Sequence, residues 1–181
     1  VQAFGGAAFD PVLLTGRNIG EGDAFADRPD RRSVEDLLDY PLGAAIALRK
    51  DYLVRAGYLD ERYFLYYEEV DWARAGGAAY RPVWAPDAVV YHRYGAASKS
   101  ARRVAGEASA RSPLSDYHMT RSRVLFAAKW RPALAPLAML AGGAQAARRL
   151  MRGRRANAAA VLRAALPGSP RRYPFAGRTA D

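Results

Sequence analysis

Residues 63 to 72 read Tyr-Phe-Leu-Tyr-Tyr-Glu-Glu-Val-Asp-Trp, five large apolar side chains running straight into three acids and a tryptophan. Large rings go inward, whereas carboxylates are almost never fully buried unless something pairs with them or uses them. The spacing predicts a helix that starts at Tyr67 or Glu68, passes Arg74 and stops at Gly76-Gly77. Its first turn then carries Glu68, Glu69 and Asp71, where the macrodipole favours negative charge. At about 100° per residue, Glu68 and Asp71 lie about 60° apart, while Glu69 points away from both and toward the side of Trp72 and Ala73. An ordinary solvated helix start would carry the same acids; the aromatic wall in front of them argues for a site.

Outward from this stretch, residues 1 to 39 are glycine-, aspartate- and arginine-rich and predict loops with one short strand. Residues 39 to 48 form an apolar run expected as a buried strand, and Gly43 inside it implies close approach of a ligand or another backbone. Residues 50 to 56 predict a short helix stopped by Gly57. Residues 80 to 84 and 88 to 92 read as two short strands around an Ala85-Pro86-Asp87 turn, with His92 where the second strand ends. A loop is expected over residues 95 to 112. Ser112-Pro113 then opens a helix, serine as N-cap and proline at its first position. Its expected face is Leu114, Tyr117, Arg121, Leu125 and Ala128, on which Arg121 is the odd member, and His118 on the same helix reads as structural. Two further helical patterns follow, around residues 137 to 155 and 156 to 166, before an end expected to be disordered.

The chain has 181 residues, half of them hydrophobic, enough for one domain with a core. It has no cysteine, which removes disulfides, thiolate metal sites and cysteine nucleophiles. Its net charge of +10 is unevenly placed. Residues 131 to 181 hold ten arginines against a single acid, leaving the first 130 residues with 18 basic and 17 acidic side chains. A one-sign block of this kind marks an interaction segment for anionic surfaces. The chain starts at Val1 without a secretory signal pattern and reads as a fragment or trimmed product; no transmembrane helix is expected.

Taken in order, these features resemble the C-terminal half of the family 2 glycosyltransferases, in their bacterial rhamnosyltransferase-like branch that builds cell-surface polysaccharides. The resemblance is carried by Val1-Gln2-Ala3-Phe4-Gly5-Gly6 with Arg17-Asn18-Ile19-Gly20, by Leu42-Gly43-Ala44-Ala45 with Leu48-Arg49, and above all by residues 57 to 72. Tyr80-Arg81, Ala85-Pro86-Asp87-Ala88, Val90-Tyr91-His92, Gly95-Ala96-Ala97-Ser98 and Arg121-Ser122-Arg123 continue it over roughly residues 1 to 131.

The resemblance implies an α/β fold: the acceptor-side half of a GT-A (nucleotide-diphospho-sugar transferase) domain over residues 1 to 130, followed by a basic amphipathic helical tail over 131 to 181. It implies an inverting transfer from a nucleotide-sugar donor to a lipid-linked or glycan acceptor, with Glu69 as the base. Glu68 and Asp71 would be supporting charges, Gly43 and Trp72 would line the acceptor pocket, and His92 would complete a site for Mg²⁺ or Mn²⁺. The Asp-x-Asp motif that holds metal and diphosphate in the family does not occur in these 181 residues, so the donor-binding half and the full metal site are expected outside them. The expected location is the cytoplasm, peripheral at the inner face of the cytoplasmic membrane. The competing readings are a non-enzymatic binder of anionic surfaces or nucleic acid through the basic tail, and an inactive gene fragment. Nucleic acid is the less favoured partner, because the tail interleaves its arginines with only Tyr173 and Phe175.

Overall fold

The computed structural model describes residues 1–92 and 111–171; all but the last two residues of the loop expected at 95 to 112, and the expected disordered end from 172, lie outside them. The chain is mixed α/β and divides into two compact units.

The first unit contains Val1–Asp60 and Glu68–His92. Strand β1 (Gly6–Asp10) pairs antiparallel with β2 (Thr15–Asn18) on one side and with the two-residue β3 (Tyr40–Pro41) on the other, in the order β2-β1-β3. The β1–β2 hairpin lies where loops with one short strand are expected. Asp10 makes its turn, Oδ1 accepting the amides of Val12 and Leu13 at 2.8 Å each, a local bond that needs no hydrophobic pattern to announce it. Helix α1 (Arg31–Glu35) is capped by Asp30 and contributes Val34 to a core with Phe4, Leu38 and Trp84, onto which Ile19 packs.

The apolar run at 39 to 48 is not a buried strand. Only Tyr40 and Pro41 pair, and proline has no N–H for a longer ladder. The chain then turns, Ala45 donating to the Leu42 carbonyl at 3.2 Å, and Ala44, Ala45, Ala47 and Leu48 are exposed. The strands expected at 80 to 84 and 88 to 92 are likewise irregular. Val83, Val89, Val90 and Tyr91 face solvent, and Trp84 is the residue that anchors the segment, its ring tilted against Phe4 at 5.3 Å and its amide on Glu35 Oε1. The helical expectations fare better: α2 spans Lys50–Ala56 and α3 spans Glu68–Gly76. Gly57 ends α2 at φ +74°, although its ψ of −167° is extended and not left-handed helical.

The second unit contains Glu61–Tyr67 and, among the described residues, 111–171. Helix α4 (Pro113–Trp130) packs with α5 (Ala135–Met151) and α6 (Arg155–Ala165). Ser112 caps α4 as expected, accepting the Ser115 amide at 3.1 Å. The segment from 131 on, expected as a tail, therefore supplies α5 and α6 to this unit.

The buried face of α4 differs from the expected one. Ser115, Asp116, Tyr117 and His118 are all buried, and four successive residues sweep about 300° of a helix, so this half of α4 is enclosed on nearly every side. Most of what it encloses is polar, and most of it is satisfied. Thr120 donates to the Asp116 carbonyl at 2.8 Å, Ser122 to the Leu65 carbonyl at 3.0 Å and Tyr117 to the Pro170 carbonyl at 2.7 Å. Arg121 is explained in the same way, donating to the carbonyls of Arg62 at 2.7 Å and Ser169 at 3.1 Å.

Candidate active site

Helix α3 begins where the chain leaves two consecutive residues with positive φ, Tyr66 at +68° and Tyr67 at +71°. Left-handed backbone costs a non-glycine residue roughly 1 to 3 kcal/mol, and nothing in a Tyr-Tyr pair signals it in a sequence. Strain of this kind collects at functional segments.

From this start the three acids take different surroundings. Asp71 is buried at 2% exposure, whereas Glu68 and Glu69 are half-buried. The Glu69 carboxylate accepts the backbone amide of Gly43, delivered by the turn that follows β3, and its own amide as well. Burial raises its pKa above the ordinary glutamate value, and these two amides oppose the rise. The approach is close: a methyl group at Gly43 would overlap the carboxylate, with Cδ only 2.9 Å away, so the Glu69 side chain would have to shift. Glu68 differs. Its Oε2 is buried without a hydrogen-bond partner among the described residues, and burial, with the neighbouring Glu69 charge second, pushes its pKa up to about 7. A neutral carboxyl thus sits beside one better able to hold charge, the pattern that separates acid and base roles in carboxylate pairs.

Trp72 sits between α2 and α3. Its indole donates to the Gly57 carbonyl at 2.8 Å and meets Tyr52 edge-on at 5.1 Å, while Tyr52 returns a 2.6 Å bond to the Trp72 carbonyl. At 7% exposure its ring is a strut that holds α3 against α2. His92 is exposed, with Nδ1 2.9 Å from Gln2 Oε1. Among the described residues no three of His, Asp and Glu come together as a metal site. The described residues therefore do not by themselves fit the divalent ion that the resemblance implies.

The second unit holds two buried polar features, the Asp116 network, which the sequence reading missed, and His118, which it marks as structural. Asp116, fully buried, receives both prongs of Arg149 at 2.8 and 2.9 Å and Asn157 Nδ2 at 2.7 Å, which joins α4, α5 and α6. Polar residues recurring on otherwise alanine-rich helices were the available signal. His118 is equally buried, and neither ring nitrogen has a hydrogen-bond partner among the described residues; it packs 4.8 Å from Phe64 and 5.1 Å from Tyr117. Burial, with Arg121 as the second cause, pushes its pKa down to about 4.

No family model, no curated protein and no solved structure matches this chain.

Proposed function

We propose that the chain is the acceptor-side half of an inverting GT-A glycosyltransferase of the family 2, rhamnosyltransferase-like kind, with Glu69 as its general base. The observation that carries the reading is the pairing of Gly43 with Glu69. The apolar segment that resembles the family's acceptor strand and the acid that resembles its base are brought together, the Gly43 amide on the Glu69 carboxylate with no space for a side chain unless the carboxylate shifts.

In this reading the acceptor hydroxyl oxygen attacks the anomeric carbon of the sugar while its proton passes to the Glu69 carboxylate. The carbon–oxygen bond to the nucleoside diphosphate breaks, and the diphosphate leaves with the bonding electrons. A raised pKa suits a carboxylate for this task, because a base works best when its pKa nears the working pH. Below about pH 7 Glu68 holds its proton and adds no second negative charge to compete for the one on the acceptor. The Gly43 amide fixes which way the Glu69 carboxylate faces. The donor-binding half, and the ligands of any divalent ion that neutralises the departing diphosphate, belong to an upstream segment or a partner chain. The product fits cell-envelope polysaccharide synthesis.

Two measurements test the reading. Joined to a donor-binding half and given nucleotide sugar with lipid-linked acceptor, Glu69→Gln should lower kcat about 10²- to 10⁴-fold, the range for loss of a positioned base. Unchanged turnover would end the assignment. The 181-residue chain alone, titrated with Mg²⁺ or Mn²⁺ and a nucleoside diphosphate, should bind weakly; tight, metal-dependent binding would refute an incomplete donor site.

A further inference from the structure

Helix α5 faces its own unit with its smallest residues. Ala138, Gly142 and Ala146 are buried at four-residue spacing, and a methyl group on Gly142 would sit only 2.8 Å from Ala165 Cβ of α6. The opposite side is apolar as well. Leu137, Leu140, Ala144, Ala147 and Met151 fall within about 80° of one another around the helix. All five are exposed, Leu140 at 72% and Met151 at 81%. A surface helix normally turns charge outward and bulk inward, so α5 is reversed.

The charge around the stripe identifies what covers it. From Arg131 to Arg171 the sequence contains no aspartate or glutamate. Arg149 is consumed by Asp116, but Arg148, Arg152 and Arg155 are exposed near the end of the stripe. The outer side of α6 repeats the composition, with Leu162 and Leu166 exposed at 48% and 61%. A second copy docking through this stripe would set arginine against arginine with no acid to relieve it. Nucleic acid would satisfy the arginines and leave Leu140 and Met151 in water. No helix among the described residues is long and apolar enough to cross a membrane, so the stripe can lie along a bilayer but not span it.

We propose that the outward stripe of α5, together with the arginines that flank it, seats the chain on an anionic lipid bilayer. Leu137, Leu140 and Met151 enter the headgroup–acyl boundary, and Arg148, Arg152 and Arg155 meet the lipid phosphates, the division of labour that suits an interfacial helix. This docking does not depend on the glycosyltransferase reading and stands or falls separately.

Flotation of the 181-residue chain with vesicles of equimolar phosphatidylglycerol and phosphatidylcholine tests it. The chain should float with these vesicles, remain behind with pure phosphatidylcholine, and bind more weakly as salt rises. Leu140→Ser with Met151→Ser should cut the partition about tenfold or more through lost apolar burial, with unchanged circular dichroism because both side chains are already in solvent. If that pair perturbs folding, Ala144→Glu at the centre of the stripe supplies the same readout. Wild-type binding by the serine pair would show that charge alone does the docking and overturn the proposal. So would equal flotation on neutral vesicles, or a dimer that the serine pair dissolves.

Discussion

Gly43 and Glu69 constrain each other through one amide, and the sign of a substitution follows from it. In Gly43→Ala the new methyl group must displace the carboxylate, since the two would overlap. The amide bond that holds the Glu69 pKa down is then lost while the burial that raises it remains. The Glu69 carboxyl carbon, followed by NMR through a pH titration, should therefore titrate higher than in the wild type, with a stability loss of about 1 kcal/mol for one hydrogen bond. A lower or unchanged midpoint would show that the amide does not tune the acid. At this scale the sequence was informative about identity and spacing. A glycine inside an apolar run pointed to close approach and acids against aromatics pointed to a site, and the two proved to be neighbours. The burial of Trp72 between α2 and α3 was not legible, because a tryptophan beside acids fits a strut as well as a pocket wall. The left-handed tyrosines at 66 and 67 were invisible for a different reason, since their backbone is imposed by packing against their own preference.

Helices were more legible than strands, for reasons visible in each. Ser112-Pro113 and the glycines at 57, 76 and 77 act locally, so α2, α3 and the start of α4 could be placed from the chain alone. The short strands depend on partners far away in sequence, and β3 amounts to two residues opposite Gly6 and Ala7. The face of α4 was misjudged because periodicity counts apolar residues, whereas the enclosed part of this helix is held by polar contacts. Asp116 is the centre of that network, and its removal carries a defined cost. Asp116→Ala leaves Arg149, whose side chain is only 12% exposed, without its carboxylate and deprives Asn157 of an acceptor. The expected loss is about 3 to 5 kcal/mol in urea denaturation. Replacing the pair with apolar side chains, Asp116→Leu with Arg149→Met, should recover a large part of it, because the desolvation of both charges disappears as well. A double variant no better than Asp116→Ala would show that the network fixes the helix arrangement in a way that apolar packing cannot replace.

Across the whole molecule, net charge was read correctly as belonging to one segment, but the sequence did not reveal that the segment folds back as α5 and α6 beside α4. Nor did it reveal that the two units carry opposite responses to pH. In the first, Glu68 keeps its proton to about pH 7 when folded, whereas the unfolded chain releases it near 4.5. The folded state then holds more protons, so stability falls as pH rises through that window. In the second, His118 takes up a proton only near pH 4 when folded but near 6.5 when unfolded. There the unfolded state holds more protons, so stability rises with pH over the overlapping range. Each group contributes roughly 2 to 3 kcal/mol at most, with opposite sign. The acids whose pKa values are lowered, Asp10, Asp30 and Glu35, add their own dependence only below this range. Glu69, whose pKa burial also raises, adds to the falling contribution, so the wild-type urea midpoint should not climb between about pH 5 and pH 6.5. Glu68→Gln with Glu69→Gln removes the falling contributions, and the midpoint of this pair should climb with pH. His118→Phe removes the rising one while keeping a ring beside Phe64, and its midpoint should decline with pH. Parallel profiles for the two variants would mean that neither burial governs the titration of the folded chain. Opposite profiles would tie one slope to the start of α3 and the other to the interior of α4.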